Sequence, residues 1–230
     1  MPGAYQKWPT TPEDHWCSEY KFYPESKLIN THGPRVYWSE YTDADLKTTE
    51  RHAQITYGAK FKDQSELALK VNNRRVLLYW DTDVTFNGNT PIPAGDYEFA
   101  HARLEFESSR FKKFNYTANI DYGQYYIGEK FSIDGSIGFR KQPWGIFSMS
   151  FNQTEIMMPE GYESASLSLF GPKIELSFTK ELFFTTFIQY NTQAENMNIN
   201  TRLQYRFRPM SDLFIVYTDN YLPYNFSIKN

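Results

Sequence analysis

The sequence predicts an all-β chain of antiparallel, up-and-down strands. Three observations predict it. Apolar and polar residues alternate with period two from about residue 35 onward, which is the mark of strands with two unlike faces. The alternating segments run to about 10 to 13 residues, longer than the usual 5 or 6 of soluble strands and suited to a tilted crossing of a bilayer. No stretch carries a helical apolar stripe; Leu46 to Arg51 is too short to count.

The alternation is clearest in five places. Ala53, Ile55, Tyr57, Ala59 and Phe61 interleave with Gln54, Thr56, Gly58 and Lys60. Ala102, Leu104 and Phe106 interleave with Arg103 and Glu105. Phe114 to Tyr122 and Phe131 to Phe139 repeat the pattern with Asn, Thr, Ser and Asp between. Leu203, Tyr205 and Phe207 face away from Arg202, Gln204, Arg206 and Arg208. Each strand thus offers one apolar and one polar face, as in a barrel with lipid outside and a watery lumen inside. The expected architecture is a transmembrane β-barrel of about 11–12 strands over residues 35–230, truncated at its ends. Residues 1–34 are expected to be an irregular segment or linker, with a further strand near Ser18–Leu28 and with Trp8, Pro9, Pro12 and Trp16 partly packed.

Connections are expected to alternate strictly between short and long. Short ones fall at Lys62–Ser65, Ser108–Lys112, Lys141–Trp144, Thr179–Leu182 and Arg208–Ser211. Long ones fall at Asp81–Gly95, Gly123–Lys130, Asn152–Ser166 and Thr192–Met197. Outer-membrane barrels pair short periplasmic turns with longer outer loops. The last clear strand is expected at Leu213–Thr218, with Asp219–Asn230 as an outer loop. No basic stretch followed by an apolar run opens the chain, so residues 1–16 do not read as a signal peptide, and a piece of a longer precursor is expected.

Composition agrees. Tyr and Phe number 18 and 19, yet mean hydropathy is −0.63. Net charge is −3, so nucleic acid is not expected as a partner. One cysteine, Cys17, precludes an internal disulfide or a cysteine zinc cluster.

The C-terminal run Asn200-Thr201-Arg202-Leu203-Gln204-Tyr205-Arg206-Phe207-Arg208-Pro209-Met210-Ser211-Asp212-Leu213-Phe214-Ile215-Val216-Tyr217 resembles the end of an uncharacterised Bacteroidota outer-membrane family. In that family a carbohydrate-binding family-nine-like domain precedes the barrel. A looser match extends back to about residue 35, through Gly95-Asp96-Tyr97. The resemblance implies a bacterial outer-membrane location and a barrel fold; it carries no catalytic residue to this chain.

Several candidate sites follow. Arg202, Arg206 and Arg208 share one strand face; on a lipid face each would cost a few kcal/mol near mid-membrane. They are therefore expected in the lumen, paired with Glu175 or Glu195. Loop 152–166, with Met157, Met158 and Tyr162, is expected either to plug the lumen or to face a partner; with the similarly long loop Asp81–Gly95, which carries Pro91 and Pro93, it is the expected recognition surface for a glycan or another outer-membrane protein. Asp81, Asp83 and Asp96 could hold calcium by their oxygens, but their spacing matches no EF-hand, the gap to Asp96 is long, and solvated charges are the simpler reading. His15, His32, His52 and His101 have no metal-ligand spacing. The sequons at Asn115, Asn152 and Asn225 read as chance matches. No cofactor is expected. The leading function is a pore, transporter or surface-binding scaffold in the lipid bilayer. The alternatives are a soluble all-β carrier of lipid or sugar and an outer-membrane lipid hydrolase.

Overall fold

The structure, a computed structural model, describes residues 13–221 apart from 87, 89 and 194. Twelve strands follow one another: β1 Glu13–Glu19, β2 Ile29–Thr42, β3 Thr48–Phe61, β4 Glu66–Leu78, β5 Gly95–Glu107, β6 Phe114–Tyr125, β7 Gly128–Lys141, β8 Gly145–Met157, β9 Ala165–Ser177, β10 Leu182–Asn191, β11 Asn196–Arg208 and β12 Ser211–Tyr221. They form one antiparallel sheet in sequence order, each strand bonded to the next. No helix occurs among the described residues, and β1 and β12 are not paired to each other there.

The extra strand lies at Glu13–Glu19, ahead of the place expected; Ser18–Leu28 is mostly the connection into β2. The boundary expected at residue 34 falls inside β2. Trp8, Pro9, Pro12 and Asn225 lie outside the described residues, as does Asp219–Asn230 beyond Tyr221.

Strict alternation of short and long connections does not hold. One end of the sheet carries connections 43–47, 79–94, 126–127, 158–164 and 192–195; the other carries 20–28, 62–65, 108–113, 142–144, 178–181 and 209–210. Only 79–94 is much longer than the rest. The expected loop Gly123–Lys130 is a two-residue turn at Tyr126-Ile127, and β8 continues to Met157. The reason is physical. Where a strand runs past the apolar belt, both its faces meet water, so apolar alternation fades while the backbone ladder continues. Gly, Asn and Gln there imitate loop composition.

The two faces of the sheet are unlike. Ser132 and Asp134 of β7, with Asn152 and Thr154 of β8, point to the concave side, while Ile133, Ile137, Phe147 and Met149 point outward. Among the described residues only Val84, Ile92, Phe99 and Ile156 are buried apolar side chains, and the buried polar set is larger. Ile55, Leu69, Leu104, Ile120, Ile137, Phe147 and Ile215 are exposed on the convex face. A water-soluble domain of this length normally hides such residues.

The convex apolar residues form a belt that crosses the ladder diagonally. One rung runs Tyr57, Leu69, Leu104, Ile120 and Ile133, then turns polar at Gln153 and Ser168. Another begins at Phe114 and runs Phe139, Phe147, Ile174, Thr186, Thr201 and Tyr217. The belt is centred on Tyr57 in β3 and on Thr201 in β11, a drift of six residues along the strand over eight strand steps. With ~3.3 Å per residue and ~4.8 Å between strands, that is a tilt of roughly 30°.

Candidate functional site

The concave face carries the chemistry. Its centre is an ionic network on β4 to β7. Arg103 Nε donates to Glu105 at 2.9 Å, and its Nη2 lies 2.8 Å from Asp134. Lys70 meets the same Glu105 at 2.7 Å, and Asn119 donates to Asp134 at 2.7 Å. Asp121 is 5 % exposed, 3.7 Å from His101 and 3.9 Å from Arg103; its Oδ1 has no hydrogen-bond partner among the described residues. The antiparallel register brings these groups together: Lys70, Arg103 and Asp121 occupy one rung, and Glu105, Asn119 and Asp134 the next. Half-buried charges this close stabilise the wall only because each has an opposite partner. The sequence alternation around Arg103, Asp121 and Asp134 marked the face but not the alignment of strands.

Above this network the ladder between β5 and β6 ends at His101–Gly123. Gly123 has φ +155, and a Cβ there would stand 2.5 Å from the His101 Cα. Gln124 Oε1 accepts the Ala100 N–H at 3.2 Å in place of a ladder bond. The mouth so opened holds an aromatic cluster: Phe99 and Tyr126 at 4.9 Å, Tyr125 and Tyr126 at 5.0 Å, Tyr97 and Tyr126 at 5.7 Å. Lys130 Nζ lies 5.3 Å from the Tyr125 ring.

Loop 79–94 folds into this mouth. Val84, Thr85 and Ile92 are 3 %, 3 % and 1 % exposed, and an antiparallel bridge joins Thr82 to Ile92. Tyr125 Oη donates to the Val84 carbonyl at 3.2 Å. Gln193, in the turn between β10 and β11, donates to the Thr85 and Phe86 carbonyls. A loop rooted on β4 and β5 thus touches the turn between β10 and β11, so the sheet is strongly curled. The segment that fills the concavity is therefore 79–94 and not 152–166. Six of the latter residues belong to β8 and two to β9, which leaves only 158–164 free to loop.

The expected arginine partners are different from those found. Arg202, Arg206 and Glu175 lie on the concave face, with Arg202 and Glu175 both opposite Thr185. Arg206 pairs with Asp212 at 2.9 Å, and Glu175 with Lys173 at 3.0 Å. Arg208 follows a register shift and faces Ser211. Glu195 sits in the turn 192–195, at the opposite end of β11 from Arg206 and Arg208. Met157, Met158, Glu129 and Tyr126 line one hollow beside the 126–127 turn, and Tyr162 lies within electrostatic reach of Tyr97.

The three acids considered for calcium are otherwise engaged. Asp81 accepts the Ala94 N–H, Asp96 pairs with Arg75, and Asp83 accepts N–H groups of Thr85, Phe86 and Gly88. No group of three metal-ligating residues occurs among the described residues. His32 bonds Tyr57 at 2.7 Å and His52 bonds Asn72 at 3.0 Å.

Charge is split between the ends. Connections at the end of loop 79–94 carry Asp43, Asp45, Asp81, Asp83, Glu160, Glu163 and Glu195 against Lys47 alone. Those at the other end carry Lys21, Lys27, Lys62, Arg110, Lys112, Lys113 and Lys180 against Glu25, Asp63 and Glu181.

No family model, curated protein or solved structure matches this chain.

Proposed function

We propose that this chain is a membrane β-barrel of the bacterial outer-membrane kind, serving as a pore, transporter or surface-binding scaffold. The observation that carries the reading is the tilted apolar belt on the convex face. A belt that drifts across the ladder becomes level with a bilayer once the strands tilt, and barrel strands tilt by about 35–45°. The polar concave wall is the complement of that belt. A soluble carrier of lipid would need the opposite arrangement, an apolar cavity within a polar shell. Resemblance of the 200–217 run to an outer-membrane family points the same way.

The test is expression, refolding and gel migration with and without detergent micelles. The reading expects a detergent-requiring species whose band shifts on boiling. A folded monomer in plain buffer would overturn it.

A further inference from the structure

We infer that the concave wall of β7 to β11, near the short-turn end, binds oxyanion groups, carboxylate or phosphate, on small solutes. This rests on the lumen reading above. A single rung joins Arg140, Ile146, Glu175, Thr185 and Arg202. The two arginines flank a hollow of about 470 Å³ that also takes in Gln142 and Gln204. Neither guanidinium has a carboxylate within ion-pairing distance among the described residues. Arg202 instead lies 5.8 Å from the Phe214 ring. Every acid nearby is occupied: Glu175 by Lys173, Asp212 by Arg206, and Glu181 by the Thr179 hydroxyl.

Arginine presents donors in a planar fork matched to carboxylate and phosphate, so two forks with no ion-pair partner among the described residues line the hollow. The neighbouring turns add to the effect. The short-turn end is basic, so anions are drawn to the mouth nearest this rung, while the acidic rim at the far end repels them. Elsewhere on the concave face the cations of the Arg103 network are matched by Glu105, Asp121 and Asp134, and offer no such site.

The experiment titrates the detergent-folded full chain with citrate and, separately, with inorganic phosphate, by calorimetry. Heat-modifiable protein that binds either anion supports the site; the preference between them tells carboxylate from phosphate. In Arg140→Gln with Arg202→Gln, affinity falls about tenfold or more, as expected for lost charge-assisted bonds. The Arg206→Gln variant, whose residue is already paired, binds as the parent does. Should the double variant not fold, each single variant is expected to show a partial loss. Folded protein that binds neither anion, or arginine variants that bind like the parent, would overturn the inference. A chain that folds only in plain buffer would instead sink the membrane reading, and the same titration would still decide the site.

Discussion

At the residue scale, Asp83 organises the loop that fills the mouth. Its Oδ1 accepts the Thr85 and Phe86 N–H groups at 2.9 and 3.0 Å, and its Oδ2 the Gly88 N–H at 2.8 Å. Burial pushes this carboxyl up, but the Thr85 hydroxyl and those three N–H groups outweigh it and hold the pKa below the ordinary 3.8. The stabilisation is therefore present above that ordinary value and is lost as pH falls through it toward the depressed one. Protection of the Thr85 and Phe86 amides, measured relative to the intrinsic exchange rate at each pH, should be high at neutral pH and fall at pH values below about 3.8. Asp83→Asn places an N–H₂ against the Gly88 N–H and should loosen the loop by about 1–3 kcal/mol at neutral pH, a difference that shrinks in acid as Asp83 itself is protonated. Unchanged protection in that variant would show that Ile92 and Val84 hold the loop without it. Gly123 is another residue whose identity is dictated locally, because the His101 backbone leaves no room for a side chain.

At the scale of the element, the strands are longer than their apolar alternation. β8 runs thirteen residues, yet its convex apolar positions reach only from Phe147 to Phe151 before Gln153 and Glu155. The belt and the ladder obey different requirements: one follows the surroundings of the convex face, the other the pairing of backbone groups. A charge placed in the belt separates the two. Ile137, 46 % exposed in β7, should tolerate lysine in water with a change of less than about 0.5 kcal/mol. Against lipid near mid-membrane the same Ile137→Lys change should cost about 2–4 kcal/mol. Asn198→Lys, on the exposed concave face of β11, should cost little in either case. Denaturant titration of both variants in lipid vesicles checks this, and equal small effects would count against a lipid-facing belt.

For the whole molecule, twelve antiparallel strands leave β1 and β12 running in opposite senses, as neighbours in an antiparallel sheet must. Unpaired strand edges in hydrocarbon are very costly, so the membrane reading requires both edges to find partners. Cys17 offers a direct probe, being the sole cysteine and lying on the concave side of β1 opposite Tyr37. If β1 pairs with β12 in the bilayer, cysteines introduced at the concave positions Asp212, Phe214 or Val216 should cross-link to Cys17 under mild oxidation. Cysteines at the convex positions Leu213 and Ile215 should not. Cross-links only between chains would place the partner edge on another copy, and none at any position would exclude a β1–β12 seam.

The amino-acid sequence alone determined the all-β class, the strand count to within one and the parity of β3, β5, β6, β7 and β11. Those properties are local: a period of two is written directly into neighbouring residues such as Phe131 to Phe139. Tertiary structure decided what depends on register. Alternation shows that Arg103, Asp121 and Asp134 share a face, but only the pairing of β5, β6 and β7 sets them within reach of one another. It also decided that Arg206 meets Asp212 across a two-residue turn, while Arg140 and Arg202 come onto one rung from strands 62 residues apart. Loop 79–94 is the clearest case. Its length was legible, but the burial of Val84 and Ile92 depends on how far the sheet curls, and curl is a sum over many strands that no single segment encodes.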